Sequence, residues 1–241
     1  MKKVSLPVLI VLSVTLGSCV YDGWNQGISG NGNVIEESRD VSGFNGVHVS
    51  SGIDVYLTEG KDFELRVEAD ENLMEVIVTE LKGNILIVRT DRHGIRHAKS
   101  RKAFVTLPEL GELKVSSAAD CVGKTPFNCQ DLELEVSSAG DLTLEVYADR
   151  IFLDISSSGD ARLEGRTNFL DVSLSSAGDL HAFDLIAKKA EVDVSSAGDA
   201  RVFAEDEISM NVSSAGNIYY MGDAKVVRSR TSSTGDIIKK N

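Results

Sequence analysis

At 241 residues, with 37 acidic against 25 basic side chains and a formal net charge of −12, the chain is an acidic protein of one or two domains' length. Its acidity, without a basic stripe interleaved with aromatics, excludes nucleic acid as a partner and sets the surface against anionic lipid headgroups. Hydrophobic residues make up 42% of the chain, enough for a sizeable core, so the order in which they recur carries the fold.

The first element, residues 1–18, is an export signal. Met1-Lys2-Lys3 precedes an uncharged run from Val4 to Leu16, too short to span a membrane, and small residues then lead to Cys19. Leu16-Gly17-Ser18-Cys19 resembles the lipobox of bacterial lipoproteins. That resemblance implies cleavage before Cys19, acylation of its thiol, and anchoring of the exported chain in the outer membrane, on its periplasmic face or at the cell surface. Each acyl CH₂ buried in the bilayer adds about 0.8 kcal/mol. Residues 19–29 read as a flexible tether.

Residues 30–110 read as an irregular β-rich part. Val47, Val49, Val55 and Leu57 alternate with polar residues on either side of Ser50-Ser51-Gly52-Ile53-Asp54, and Glu64–Ala69 is a further strand. Asp70-Glu71-Asn72-Leu73 predicts a short helix with Asp70 as its N-cap. Strands over residues 84–90 and 102–108 flank a cationic segment containing Arg89, Arg92, Arg96, Lys99, Arg101 and Lys102. That segment has two readings: a site for carboxylated or sulfated glycans or anionic lipid, or a solvated hairpin tip.

From residue 111 to 241 the chain repeats itself. A Ser-Ser pair begins at Ser116, Ser137, Ser156, Ser175, Ser195, Ser213 and Ser232, in steps of 21, 19, 19, 20, 18 and 19 residues. A unit this short does not fit helical-hairpin repeats of about 34 residues or more and suits one coil of a β-solenoid. Before each pair, Val115, Val136, Ile155, Leu174, Val194 and Val212 form one apolar column and Leu113, Leu134, Leu153, Val172, Val192 and Met210 another. Gly111, Leu132, Ile151, Leu170, Ala190, Ile208 and Val227 form a third, with polar residues between the columns. After the pair the alternation restarts at Cys121, Leu142, Ala161, Leu180, Ala200 and Ile218. Each coil is therefore a strand, a corner and a second strand, with one face in and one face out. Polar Ser229, Thr231 and Lys239 in the last coil read as a C-terminal cap.

The corners form a ladder of Ser138, Gly140 and Asp141; Ser157, Gly159 and Asp160; Ser176, Gly178 and Asp179; and Ser196, Gly198 and Asp199. The expected division of labour gives glycine the positive φ of a tight turn. The second serine points inward and bonds a turn amide or the next hydroxyl. The Asp column, with rungs about 4.8 Å apart, either lines a cation- or polyol-binding ladder or serves its own turn amides and faces water. Cys121 and Cys129, in an exported protein, either close a disulfide or pack as two small apolar groups; no Cys or His stands at zinc-ligand spacing from them.

The order of these pieces, a lipoprotein signal, "GNGNVIEESRDVSGFNGVHVSSGIDV", "DENLMEVI", "TLPEL" and serial "SSAGD" units, resembles the family known as putative auto-transporter adhesin, head GIN domain, over about residues 30 to 236. The resemblance implies a right-handed parallel β-helix, a role in cell adhesion and no transferred catalytic residue. Ala119, where the other corners have glycine, departs from the pattern and implies a distorted first corner.

Three readings of function follow. The first is a non-catalytic envelope protein presenting a solenoid surface to a glycan or a surface protein. The second is a carbohydrate-active enzyme, for which Arg162 and Arg201 with Asp154, Asp171 and Asp193 are the outward charged residues by parity; outward charges also follow from one face being wet. The third is a structural assembly module. His48, His93, His97 and His181 match neither a triad nor a metal motif, nothing calls for a cofactor, and the oligomeric state is left open.

Overall fold

Along the repeats, alternate side chains are buried, and their stacking builds the molecule. A computed structural model describes residues 27–241; over them the chain is an all-β solenoid of about seven turns with coils of ~19 residues. The signal segment and Cys19 lie outside the described residues. The N-terminal part supplies β1 (Ile28–Ser29), β2 (Val34–Ser38), β3 (Gly46–Val49), β4 (Asp54–Glu59), β5 (Glu64–Asp70), β6 (Ile77–Lys82), β7 (Ile85–Thr90), β8 (Ile95–His97) and β9 (Arg101–Leu107). The repeats supply β10 (Glu112–Val115), β11 (Asp120–Gly123), β12 (Phe127–Val136), β13 (Asp141–Ile155), β14 (Asp160–Leu174), β15 (Asp179–Ser196), β16 (Asp199–Ser214), β17 (Asn217–Met221), β18 (Lys225–Ser232) and β19 (Ile237–Lys239).

Each long strand starts after one corner and ends before the next. In β13, Leu142, Leu144 and Val146 are buried, the alternation breaks at Ala148–Arg150, and Ile151, Leu153 and Ile155 are buried again. One strand therefore supplies two faces of the coil. We call the stretch leading into the serine corner face A and the stretch leaving it face B. Parallel pairing in register places Leu134, Leu153, Val172, Val192 and Met210 in one inward column of face A, and burying each such side chain contributes about 1.5–3 kcal/mol.

The spatial order of coils differs from the chain order. β3 and β4, joined by the Ser50–Asp54 corner, pair with β10 and β11 as one more coil of the stack. β7 and β9 pair with the other side of β3 and β4, so the coil written later in sequence is the outermost. Antiparallel β6 then covers β7, β5 covers β9, and β2 covers β5. At the other end β18 and β19 lie on β16 and β17. In the last coil Val226 stands opposite Ile208, and Val227, expected in that column, is the extra residue of an irregularity in the pairing. A bulge leaves no trace in a period-two pattern read from one strand.

The corners correct three expectations. Positive φ falls on Ser138 (51°), Ala139 (59°), Ser157 (50°) and Ser158 (63°), and on Ser176 (68°) and Ser196 (84°), while Gly140, Gly159, Gly178 and Gly198 are not in that region. Those glycines are needed because the coils touch there. A Cβ on Gly140 would sit 2.8 Å from the Val115 carbonyl oxygen, and on Gly178 or Gly198 it would run into the carbonyl of the glycine one coil before. The second serines, Ser138, Ser157, Ser176 and Ser196, are exposed rather than turned inward, because the glycine takes the buried place.

The Asp column also differs from the reading in which each carboxylate serves its own turn amides. Asp160 accepts the amide of Asp179 at 2.9 Å, Asp179 that of Asp199 at 2.8 Å, and Asp199 that of Asn217 at 3.2 Å. Each carboxylate serves the next coil's backbone rather than its own turn. In the earlier coils a backbone carbonyl does this work: the amides of Asp141 and Asp160 donate to Ala119 and Gly140 at 3.0 Å.

Candidate binding surface

Face A carries three of the concave features of the repeats; another, of about 290 Å³, lies at the break between the faces, against Tyr147, Asp149, Arg166 and Asn168. The outward residues of face A form columns, one of them His48, Lys114, Glu135, Asp154, Ser173, Asp193 and Asn211. An open hollow of about 270 Å³ lies against His48, Ile87, Lys114 and Glu135. A second, of about 300 Å³, lies against Lys114, Glu135, Phe152 and Asp154, and a third, of about 250 Å³, against Asp154, Ser173, Asp193 and Asn211. Adjacent hollows share Lys114 and Glu135, then Asp154, and form a staggered furrow across the coils, the second hollow on the Phe152 side of that column and the first and third on the side of the corner serines.

Charge in the furrow is ordered. His48 Nε2 is 2.7 Å from Glu112 Oε1, and Lys114 bridges Glu112 at 3.3 Å and Glu135 at 3.2 Å. Burial would raise the Glu112 carboxyl, but its bonds to His48 and Lys114 outweigh this and hold it below its ordinary value. Its bond to Glu135 raises Lys114 against the opposing effect of burial. Further along, burial and then the neighbouring Glu191, Asp193 and Asp154 push Asp171 up. Phe152 stands among these carboxylates with 37% of its surface exposed. The parity of the repeat already placed Phe152 outward, and an aromatic in an outward polar column was the signal that sequence reasoning passed over.

The charged residues considered for an enzyme do not converge. Asp154, Asp171 and Asp193 are on face A, whereas Arg162 and Arg201 are beyond the corner on face B, where Arg162, His181 and Arg201 stack on consecutive coils. Arg162 binds Glu164 and Asp184 at 3.1 and 3.3 Å; Arg201 reaches Asp199 at 3.4 Å and lies over Tyr219. Among the described residues no three His, Cys, Asp or Glu side chains are grouped to hold a metal.

The cationic segment is the enlarged corner of the outermost coil, between β7 and β9, not a hairpin tip, because those strands pair with β3 and β4 instead of each other. Its charges are partly spent inside the fold. Arg89 binds Glu80 at 3.1 Å and Lys102 binds Glu68 at 3.1 Å; Lys99 reaches the Gly32 carbonyl at 3.5 Å, and Arg101 lies against Gly52. Arg92 and Arg96 are exposed and have no acidic partner among the described residues. The sequence could not show the Lys102 partner, because Glu68 comes from an antiparallel strand 34 residues away, whereas Glu80 lies near Arg89 across the short β6–β7 hairpin.

Asp70 precedes a three-residue 3-10 turn, Glu71–Leu73, but its side chain does not cap it. The carboxylate is buried and accepts amides from Gly32 at 2.9 Å and from Lys99 and Ser100 at 3.0 Å each. Burial works to raise its pKa; the three amide bonds win and hold it below the ordinary value. It ties the chain entering β2 to the cationic corner.

Cys121 and Cys129 are both free, so the disulfide is not made. Cys121 is fully buried in an inward column between Val55 and Leu142, while Cys129 is half-buried beside Ala148. Burial pushes the Cys129 thiol up to about 12, with Glu59 and Glu109 adding to it, and burial raises that of Cys121. Neither is a ready thiolate nucleophile.

Stacked coils, in-register inward columns and an open polar outer face define the class: a β-solenoid. Residues 43–224 match the family described as putative auto-transporter adhesin, head GIN domain, and the chain belongs to that family. Its fold is similar to that of a putative adhesin from Bacteroides fragilis NCTC 9343 (TM-score 0.82, 22% identity, covering 89% of this chain and 100% of that one). It is also similar to a putative adhesin from Parabacteroides merdae ATCC 43184 (0.71, 18%, 90% and 100%). A third similar structure is a putative lipid binding protein from Parabacteroides distasonis ATCC 8503 (0.69, 24%, 90% and 100%). At these identities the likeness carries the fold alone. No curated protein matches the chain, and no helix among the described residues is long and apolar enough to cross a membrane.

Proposed function

We propose that this protein is a non-catalytic, lipid-anchored adhesin of the bacterial outer membrane that binds an extended, polyhydroxylated chain along face A. The observation that carries the reading is the furrow: three adjoining hollows staggered about the Lys114, Glu135 and Asp154 column, with Phe152 against the second and carboxylate, hydroxyl and amide groups around them. An aromatic face packs against the C–H side of a sugar ring, while carboxylates and amides bond its hydroxyls, the usual mix of an apolar platform and a few placed polar groups. The acidic surroundings favour a neutral or amine-bearing glycan over an anionic one. Family membership supports the adhesin-like role, and the Leu16–Cys19 sequence supports the anchor.

A glycan array probed with the purified protein tests the ligand class. Binding should fall about tenfold in Phe152→Ala, the loss expected of a central anchor, and should fall in Glu135→Gln. Binding unchanged in both variants but abolished by Arg96→Glu with Arg101→Glu would move the site to the cationic corner. Labelled palmitate should enter the wild-type chain and not Cys19→Ser, and protease added to whole cells should remove a surface-facing adhesin.

A further inference from the structure

We propose that the cationic corner is the membrane-facing foot of the molecule, docking on anionic phospholipid headgroups of the leaflet that holds the Cys19 lipid. Such docking rests on the Cys19 anchor, and the fold decides which part of the solenoid meets the bilayer. β1, where the described chain starts, pairs in parallel with β8 in the middle of the corner. Ile28 donates to the Gly94 carbonyl at 3.0 Å and Gly30 to the His97 carbonyl at 2.7 Å. Asp70 then clasps both segments, accepting the Gly32 amide from one and the Lys99 and Ser100 amides from the other. A Cβ on Gly27 would lie 3.1 Å from the Arg96 Cβ, so the chain enters the fold against Arg96 itself. From Cys19 to Gly27 there are eight residue steps, which span at most about 29 Å. The anchor therefore keeps the corner close to the bilayer.

Charge complementarity points to the same occupant. From Arg89 to Lys102 the one acidic residue is Asp91, and it is bonded to His93 at 2.6 Å. Glu80 and Glu68 hold Arg89 and Lys102. That leaves Arg92 and Arg96 exposed, with no acidic partner among the described residues, and Lys99 exposed near them. Each cation brought to an anionic membrane strengthens the hold about fivefold, within a Debye length of ~8 Å at physiological salt. So small a gain does not recruit a free chain of net charge −12; a short tether, which supplies a roughly millimolar effective concentration, makes it sufficient. The same net charge repels the rest of the surface and leaves the corner as the part that approaches. The last coil is the other cationic region, with Lys225, Arg228 and Arg230 on β18. It lies eight strand spacings from β7, about 38 Å away and farther than the tether extends, so the anchor favours the corner.

Coupling the mature chain through Cys19 to a maleimide-bearing phospholipid supplies the anchor whether or not cells do; burial, which raises the Cys121 and Cys129 thiols, keeps those two slow to react. Hydrogen exchange followed by mass spectrometry then compares vesicles of phosphatidylcholine alone with vesicles of phosphatidylcholine and phosphatidylglycerol. Exchange in residues 91–98 should slow about fivefold or more on the anionic vesicles alone, and about 1 M salt should remove the difference. Exchange at β18 should be the same on both. Arg92→Glu with Arg96→Glu should abolish the protection and leave exchange in the stacked strands as it was, whereas Arg228→Glu with Arg230→Glu should keep it. Equal exchange on both vesicles, protection that survives Arg92→Glu with Arg96→Glu, or protection at β18 instead would overturn the proposal. So would protection of residues 91–98 by a soluble sulfated polysaccharide and not by the anionic vesicles. Palmitate labelling of Cys19 and glycan binding at Phe152 can each fail without altering these outcomes, so the docking and the adhesin reading are tested apart.

Discussion

The early and late corners are written in nearly the same letters and are built differently. At Ser137–Gly140 and Ser156–Gly159 two successive residues have positive φ, and the glycine amide closes back on the first serine carbonyl at 2.9 and 3.0 Å, a type I′ turn. At Ser195–Gly198 and Ser213–Gly216 only the second serine has positive φ, and the bonds run between coils: Ala215 and Gly216 both donate to the Ser196 carbonyl, at 2.9 and 2.7 Å. The early corner closes its own turn, though Ala139 also donates to the Ser157 carbonyl of the next coil at 3.2 Å. The late corner is satisfied by its neighbour, with glycine stacked on glycine and each aspartate holding the next amide. One motif can therefore serve two roles, and the Asp column is a backbone brace in the late coils and a row of neighbouring carboxylates in the early ones.

The largest effect should come from the glycines. A methyl at Gly198 would overlap the Gly178 backbone carbonyl, which cannot move without shifting a coil, and the tip of the Leu174 side chain, whereas at Gly140 it would meet the Val115 carbonyl oxygen at 2.8 Å. Gly198→Ala should lower stability by about 3 kcal/mol and Gly140→Ala by about 1 kcal/mol, the range spanned by overpacking a close contact. Denaturant midpoints measure both, and equal losses would erase the distinction between the corners.

The aspartates should give the next effect. Asp199 accepts the Asn217 amide and, at 2.9 Å, its side-chain nitrogen; truncating it leaves a backbone donor without its acceptor. Asp199→Ala should cost about 1–2 kcal/mol, and Asp199→Asn should recover most of that, because Asn217 already plays this part for Asp236 at 3.1 Å. Asp120→Ala should be near neutral by the same denaturant midpoints, since the amide below, Asp141, donates to the Ala119 carbonyl. A late aspartate as dispensable as Asp120 would show that the ladder does not brace the stack.

Much of this was legible in the residues, and the failures share a cause. The inward columns were readable because burial acts on every second residue and the repeat supplies many registered copies of that pattern. Glycine in the corner was readable as necessary but not for the right reason, since positive φ and close approach select the same residue and only coordinates separate them. Asp70 sits where a helix cap would, and the three amides it accepts come from residues 29 to 38 positions away. The antiparallel strands β5 and β2 that close the N-terminal end, and with them the Glu68 partner of Lys102, follow from a chain path that returns to the outside of its own earlier coil. No local pattern encodes that return.

The smallest effect is electrostatic and belongs to the early coils. Burial, then repulsion from Asp120 and Asp160, raises the Asp141 carboxyl above its ordinary value of 3.8, and shared hydrogen bonding with Asp120 adds to this. The sign follows from which state resists ionisation. Below 3.8 both folded and unfolded chains hold the proton and the position is neutral; as pH climbs through the raised folded value, the unfolded chain ionises more readily and the fold loses stability. Asp141→Asn should therefore stabilise the protein near neutral pH, by about 0.3 kcal/mol given how exposed and screened the carboxylate is. The gain should vanish in melts run below pH 3.8. A gain that persisted in acid would mean that the substitution acts through packing, leaving carboxylate repulsion with no part in setting the early corners apart from the late ones.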